Sequence, residues 1–156
     1  MKNIQYKIEI HAPAQKVYET MLGLKNKSTY DQWTFAFNPS STYMGSWEKG
    51  SKMHFLAVDE NGKRGGMISE IEENLPSKYV SIRHYGILDG ETEITSGKQV
   101  DQWAGGHENY SFNENQGITT LIVEMDIVEE YLDYFNSTYP LALEKLKEIS
   151  ELESFI

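Results

Sequence analysis

Two side chains in this sequence are of types suited to acid–base chemistry. His84 follows Val80 and Ile82 at every second position, so it shares the apolar face of a predicted strand, and imidazole titrates near neutral pH. Glu108 follows a pair of glycines, and a carboxylate inside an apolar pocket would have a raised pKa. Each residue is a candidate proton carrier or polar contact to a ligand. The simpler interpretations are favoured: a hydrogen-bonded core histidine and a surface or ion-paired glutamate.

No other pattern points to catalysis or metal binding. The chain has no cysteine, which excludes disulfides, thiolate metal sites and a cysteine nucleophile. His11, His54, His84 and His107 lack the spacing of metal ligands. The serines form no Gly-x-Ser-x-Gly elbow, and no Ser/His/Asp set is visible. We therefore assign no catalytic residue and predict neither a metal nor a cofactor.

Aromatic residues make up 12% of the sequence. Inward-facing aromatic and Met side chains suit a pocket for an apolar ligand, because such pockets are mostly hydrophobic with a few polar groups. The alternative is an ordinary core, which is the more common role for any one of these residues. The predicted ligand-binding residues are Trp33, Phe37, Met53, Phe55, Met67, Ile82, His84, Trp103, Glu108, Tyr110, Phe112, Val123, Phe135 and Tyr139.

The elements that must position these residues follow from the spacing of apolar side chains. Ile4 to Ile10 alternate with polar residues, which predicts a half-buried strand. Pro13 suits the first turn of a helix that Gly23 would end. A short second helical turn is predicted over 25–30.

Further strands are predicted over 51–58, 66–73, 79–85, 108–113 and 119–128. A hairpin turn is predicted at 59–62, and the segment 86–106 is predicted to be mostly loop around a short or irregular strand.

From Glu129 the apolar period changes from 2 to 3.6. A stripe that includes Phe135, Tyr139, Leu146 and Leu152 predicts a helix over 130–152, kinked or divided at Pro140. Strands followed by a long amphipathic helix indicate an α+β fold. We predict a curved antiparallel sheet of about six or seven strands wrapped around the C-terminal helix, with one or two short helices after the first strand. No linker or repeat divides the chain, so 1–156 is predicted to be a single domain.

The net charge limits the classes of partner. The formal charge of −10 and the sequence pI of about 4.8 predict an acidic surface, which repels nucleic-acid phosphates and anionic lipid head groups. Neither nucleic acid nor membrane insertion is therefore expected. The N-terminus lacks an apolar signal core and no stretch approaches 18 apolar residues, so a cytoplasmic location is predicted.

Several segments resemble, in order and spacing, the SRPBCC superfamily, also called START-like or helix-grip proteins. The branch they resemble is named after the activator of the heat-shock-protein ATPase. The resemblance covers about residues 2–152 and rests on the opening run 8–18, on Trp33, and on the segments 47–51, 70–76, 103–110, 117–121 and 139–147.

The resemblance implies a helix-grip fold and a cavity between sheet and helix, where members bind lipids, hormones, polyketides or other apolar molecules. The leading hypothesis is a small hydrophobic ligand-binding protein, either a carrier or a sensor. One alternative is a cyclase or hydrolase acting in the same cavity. Another is a stress-linked co-chaperone, which is expected less because this sequence begins at the first strand without that branch's separate N-terminal domain. A homodimer and a contact with a chaperone are left open.

Overall fold

The computed structural model of the protein describes residues 1–152. These residues form eight strands, three helices and one 3₁₀ turn. The strands are β1 (Lys2–Ile10), β2 (Thr42–Gly45), β3 (Lys52–Val58), β4 (Arg64–Leu75), β5 (Tyr79–Asp89), β6 (Thr92–Ile94), β7 (Gly106–Asn115) and β8 (Ile118–Ile127). The helices are α1 (Ala14–Leu22), α2 (Ser28–Thr34) and α3 (Leu132–Glu151), and the 3₁₀ turn spans Glu129–Tyr131.

All strands belong to one antiparallel sheet. Its order is β1-β8-β7-β5-β4-β3-β2, and the short β6 pairs with β5 beside this path. The pairing of β4 with β5 shifts register between Ile68 and Ser69 and again between Ile71 and Glu73. Such bulges bend a strand and increase its twist. The central hairpin is therefore irregular at the position where Ser69 faces His84.

The core lies between one face of this sheet and α3, and we call that face the inner face. Alternate side chains of β5, β7 and β8 point into the core, and α3 contributes Tyr139, Leu143 and Leu146 to the same cluster. Helix α1 closes the cluster with Val17 and Met21. Gly23 ends α1 in the left-handed conformation with φ 69°, which glycine adopts without steric cost.

The α+β helix-grip architecture predicted from the sequence is confirmed, with corrections to individual elements. The sheet has eight strands rather than six or seven. The additional strand is β2, whose four residues lack an alternating apolar pattern and form a strand through their pairing with β3. Strand β5 continues to Asp89, beyond the predicted end at residue 85, so the segment after it contains less loop than expected.

Two helix boundaries also differ from the prediction. Helix α2 spans Ser28–Thr34 rather than 25–30, because Tyr30 and Trp33 lie three residues apart and are both buried. Helix α3 continues past Pro140 and ends at Glu151. Leu152 was predicted to continue the apolar stripe but is exposed, since it lies beyond the last helical turn. The single-domain prediction for 1–156 extends over residues 153–156, which lie outside the described residues.

Within residues 1–152, none of the helices combines the length and the apolar character needed to cross a bilayer.

Two leucines on α3 test which face of the helix packs against the core. Leu146 is fully buried, whereas Leu141 is 65% exposed. We expect Leu146→Ala to lower the free energy of unfolding by about 2–5 kcal/mol, because it removes buried methyl groups and leaves a cavity. The control Leu141→Ala should change that free energy by less than about 0.5 kcal/mol. Urea denaturation measures both variants, and equal losses would contradict the packing described here.

Candidate functional site

A carboxylate lies on the otherwise apolar inner face of the sheet. Glu108 belongs to β7, where it is opposite Ile82 of β5 and Met125 of β8. Both neighbours are buried, and the Glu108 side chain is only 16% exposed. A charge removed from water in this way is costly unless hydrogen bonds or an opposite charge compensate for it.

Donors from three elements supply that compensation. Nε2 of His84, on β5, lies 3.0 Å from Oε1 of Glu108. The Tyr110 hydroxyl donates to Oε2 over 3.2 Å, and the hydroxyl of Tyr139, on α3, donates to the same oxygen. Hydrogen bonds to an ionised acceptor are the stronger kind. The carboxylate therefore links the sheet to the helix that covers it.

Ser69 extends this network on the far side of the imidazole. Its Oγ lies 2.6 Å from Nδ1 of His84, and the residue is fully buried on β4. A hydroxyl, an imidazole and a carboxylate thus lie in series. No Ser/His/acid set is visible in the sequence, and Ser69 is not among the predicted site residues, because only the register of the bulged β4–β5 hairpin brings Ser69 to His84.

Aromatic rings lie beside two partners of the carboxylate, Tyr139 and His84, and we call the set Trp33, Phe37, Phe55, Phe135 and Tyr139 the aromatic arc. The Tyr139 ring centroid lies 5.0 Å from that of Phe37, 6.4 Å from that of Phe135 and 6.5 Å from that of Trp33. Phe55 contacts the site through His84, with 6.0 Å between their ring centroids. Trp33 is held in place by the hydrogen bond from its Nε1 to the Met21 carbonyl, 2.8 Å long.

The network sets the protonation state of its members. Burial raises the pKa of Glu108, but the hydrogen bonds from His84, Tyr139 and Tyr110 outweigh it, so the pKa lies below the ordinary value of 4.5. The raised pKa expected for Glu108 from an apolar pocket is therefore wrong, because the pocket supplies hydrogen-bond donors.

Burial and the nearby Glu108 charge raise the pKa of Tyr110 and Tyr139 well above 10.0. Both hydroxyls are neutral donors at pH 7.

The predicted ligand-binding residues fall into three groups. The first group is buried in the core: Trp33, Met53, Ile82, Tyr110, Phe112, Val123 and Tyr139. The second is partly buried and lies at the margin of that core: Phe37, Phe55, Phe135, His84 and Glu108. Met67 and Trp103 form the third, since both are partly buried but neither belongs to the core cluster of the described residues. Met67 pairs with Phe55, whereas Trp103 lies in the turns before β7.

Two pockets open on the surface, away from this network. One has a volume of about 400 Å³ beside α1 and includes Pro13 and Thr29 in its lining. The other has a volume of about 350 Å³ near the β3–β4 hairpin and includes Asn38 and Asp89. None of the predicted ligand-binding residues lines either of them. Across residues 1–152, no group of three or more His, Asp or Glu side chains is arranged to hold a metal ion.

Comparison with known proteins identifies solved structures that have the same fold. No family model matches the chain, and no curated protein matches it in sequence. Solved structures do match over nearly its whole length. The Aha1 dimer from Colwellia psychrerythraea is 19% identical, with 97% of this chain and 98% of that chain covered and a TM-score of 0.66.

Two further structures agree with the first. Protein MLL2253 from Mesorhizobium loti is 12% identical, covering 99% of this chain and 100% of that chain with a TM-score of 0.71. CalU16 from Micromonospora echinospora is 14% identical, covering 96% of this chain and 74% of that chain with a TM-score of 0.62. The resemblance noted in the sequence is thereby confirmed at the level of the helix-grip fold.

The lowered pKa of Glu108 predicts how stability depends on pH. The unfolded chain binds this proton more readily than the folded one, so the contribution of Glu108 is complete above about pH 4.5 and is lost as pH falls through the folded pKa. At pH 7 we expect Glu108→Gln to lower the free energy of unfolding by about 1–3 kcal/mol, since it removes charge-assisted hydrogen bonds.

This difference between the wild type and Glu108→Gln should shrink as the pH is lowered below 4.5. Urea denaturation at several pH values measures it, and groups that titrate equally in both proteins cancel in the comparison. A difference that stays constant from pH 7 to pH 3 would show that the Glu108 carboxylate is not preferentially ionised in the folded protein.

Proposed function

We propose that this protein binds a small hydrophobic molecule between the sheet and α3, as a carrier or a sensor. The polar group of the ligand contacts the Glu108–His84 pair, and its apolar body lies against the aromatic arc. The observation that carries the proposal is a partly exposed, hydrogen-bonded carboxylate set among partly buried aromatic rings. Binding sites for small molecules combine these same features, a mostly apolar lining and a few polar groups that fix orientation.

The burial of α3 supports this location. Toward its C-terminal end, Leu143 and Leu146 are packed tightly in the core. Toward its N-terminal end, Leu132 and Phe135 are only partly buried. The partly buried rings Phe37 and Phe135 lie beside Tyr139, and we place the ligand entrance there.

Entry requires side chains to move, because neither surface pocket reaches the network. Phe37 and Phe135 are the arc members best suited to this, since both are partly exposed and their centroids lie 6.5 Å apart. The more deeply buried Trp33 and Tyr139 are held by hydrogen bonds from their polar atoms. The proposal therefore assigns Phe37 and Phe135 to the entrance and Tyr139 to the fixed wall.

The oligomeric state, the chaperone contact and the cytoplasmic location stay predictions for this chain. The Aha1 structure from Colwellia psychrerythraea is that of a dimer. A homodimer of this chain is a proposal drawn from the shared fold.

Ligand binding is tested with delipidated protein and a set of single-chain amphiphiles and aromatic compounds. We expect at least one compound to raise the melting temperature, because a ligand that binds only the folded state stabilises it. Phe37→Leu should weaken that binding about five- to tenfold by removing a ring contact while keeping an apolar side chain. The matched control is Phe35→Leu, since Phe35 is 59% exposed and lies outside the arc.

The proposal fails if no compound changes the melting temperature and native mass spectrometry of protein from its own host finds no bound small molecule. An equal loss of binding in Phe35→Leu would place the ligand elsewhere on the surface.

A hydrolase is the second candidate, favoured by the Ser69–His84–Glu108 series. The distance of 2.6 Å between Oγ and Nδ1 would let the imidazole accept the serine proton, and Glu108 would orient the ring. Binding ranks first because Ser69 has no exposed surface, and a nucleophile must reach its substrate.

If hydrolysis occurs, a fluorophosphonate probe should label the wild type at Ser69, and Ser69→Ala should lose both labelling and turnover of aryl esters. A second serine, Ser137, provides the control, because it is exposed and its Oγ contacts only the Tyr134 carbonyl among the described residues. Absence of labelling and of ester turnover in the wild type would eliminate this candidate.

A further inference from the structure

The charge of Glu108 lacks a permanent counter-charge. Among residues 1–152, the one basic side chain within 4.0 Å of its carboxylate is His84. Arg83 is adjacent to His84 in sequence, but its side chain contacts Glu70 and Glu72 instead. Buried charges in proteins are normally paired or strongly hydrogen-bonded, so the state of His84 decides the net charge of the site.

The hydrogen bond to Ser69 assigns that state. A serine hydroxyl has one proton to donate, and Nδ1 of His84 is the partner found for the buried Ser69 Oγ within the described part of the chain. When Ser69 donates to Nδ1, the imidazole is neutral and Nε2–H donates to Glu108, which satisfies every group in the series. A protonated imidazole would donate from Nδ1–H to the Ser69 Oγ, and the buried serine hydroxyl proton would then have no acceptor among the described residues. The network of Ser69, His84, Glu108, Tyr110 and Tyr139 therefore has a net charge of −1 in this arrangement.

The carboxylate also retains an unused acceptor position. Its two oxygens offer about four lone-pair sites. Among the described residues, Oε2 accepts from Tyr110 and Tyr139, whereas Oε1 accepts from His84 alone. One site on Oε1 thus remains for a donor that comes from outside the protein.

The rings around this acceptor favour a cationic donor. Two partners of the carboxylate lie beside further rings: the Phe37 centroid is 5.0 Å from that of Tyr139, and the Phe55 centroid is 6.0 Å from that of His84. Aromatic faces attract ammonium groups, most strongly where water is excluded. A carboxylate enclosed by aromatic side chains is suited to an ammonium head group, whereas it repels a carboxylate head group.

We infer that the ligand of this site is an amphipathic amine, whose ammonium group pairs with Oε1 of Glu108 and whose apolar body lies against the aromatic arc. This inference rests on the proposed function and adds the chemical class of the head group. The inference is tested by comparing ligands that have the same apolar body and differ only in the charge of the head group.

The experiment compares dodecylamine, dodecanol and dodecanoate, each below its micelle-forming concentration, by titration calorimetry at pH 7.5. An alkylammonium group is charged there, because such amines have pKa values of about 10. We expect the wild type to bind the amine at least about tenfold more tightly than the alcohol, and dodecanoate most weakly. Glu108→Gln should lose most of the preference for the amine while it still binds the alcohol.

A matched variant separates the site from the general acidity of the protein. Glu144→Gln removes the same charge from an exposed position on α3 and should leave all three affinities unchanged. If Glu144→Gln weakens amine binding as much as Glu108→Gln does, the preference is non-specific and the inference fails. If Glu108→Gln does not fold, Glu108→Asp keeps the charge and should keep the preference for the amine.

The outcomes distinguish this inference from the function on which it rests. Equal binding of all three compounds by the wild type, or tightest binding of dodecanoate, overturns the amine assignment and leaves hydrophobic ligand binding intact. No binding of any of them, together with no effect of the wider compound set, overturns both.

Discussion

The hydrogen bond between Tyr139 and Glu108 joins the two layers of this protein. A carboxylate on the inner face of a sheet cannot be left without donors, since desolvation of an unpaired charge costs several kcal/mol. The Tyr139 hydroxyl of α3 supplies one donor, and His84 and Tyr110 supply the others from the sheet. Apolar packing holds α3 against the sheet, and the directional bond from Tyr139 adds a polar contact that depends on the position of the helix. The placement of the helix, the ionised state of Glu108 and the geometry of the aromatic arc therefore depend on one another.

This constraint also explains why the two ends of α3 differ. In the C-terminal half of the helix, the apolar side chains of Leu143 and Leu146 belong to the core cluster that α1 and the sheet complete. Around Glu108, several polar atoms must keep hydrogen-bond distances, and large rings such as Phe37 and Phe135 fill the remaining space only partly. Partly buried aromatic rings therefore lie beside the polar network, whereas Leu143 and Leu146 are buried in the core. Regions with fewer buried contacts open at lower cost, and this is the end at which we place the ligand.

The sequence predicted the features that arise from local periodicity. Alternation along β1 and β8 and the 3.6-residue period of α3 each have one simple structural cause, and these elements were found where expected. Strand β2 was missed because its four residues become a strand only through β3. Of the site, the apolar periodicity predicts His84, Tyr110 and Tyr139, whereas Glu108 is predicted from its position beside a pair of glycines and Tyr110. Their mutual hydrogen bonds, and the role of Ser69, depend on strand register and on contacts between residues up to 31 positions apart. The same long-range donors reversed the expected direction of the Glu108 pKa, which burial alone would raise.

Stability by itself gives a weak account of this network. Replacing a buried ionic group by apolar side chains of similar volume is often neutral or even stabilising, and the inner face already contains residues such as Ile82 and Val123 that pack fully. A core whose only task is folding has little need of a carboxylate whose three hydrogen-bond donors must all be oriented. The polar groups lie at the margin of the core, with His84 and Glu108 14% and 16% exposed, rather than at its centre. A molecule that displaces Phe37 and Phe135 would meet them first, which is the arrangement expected if the cost of burying the charge is offset by recognition.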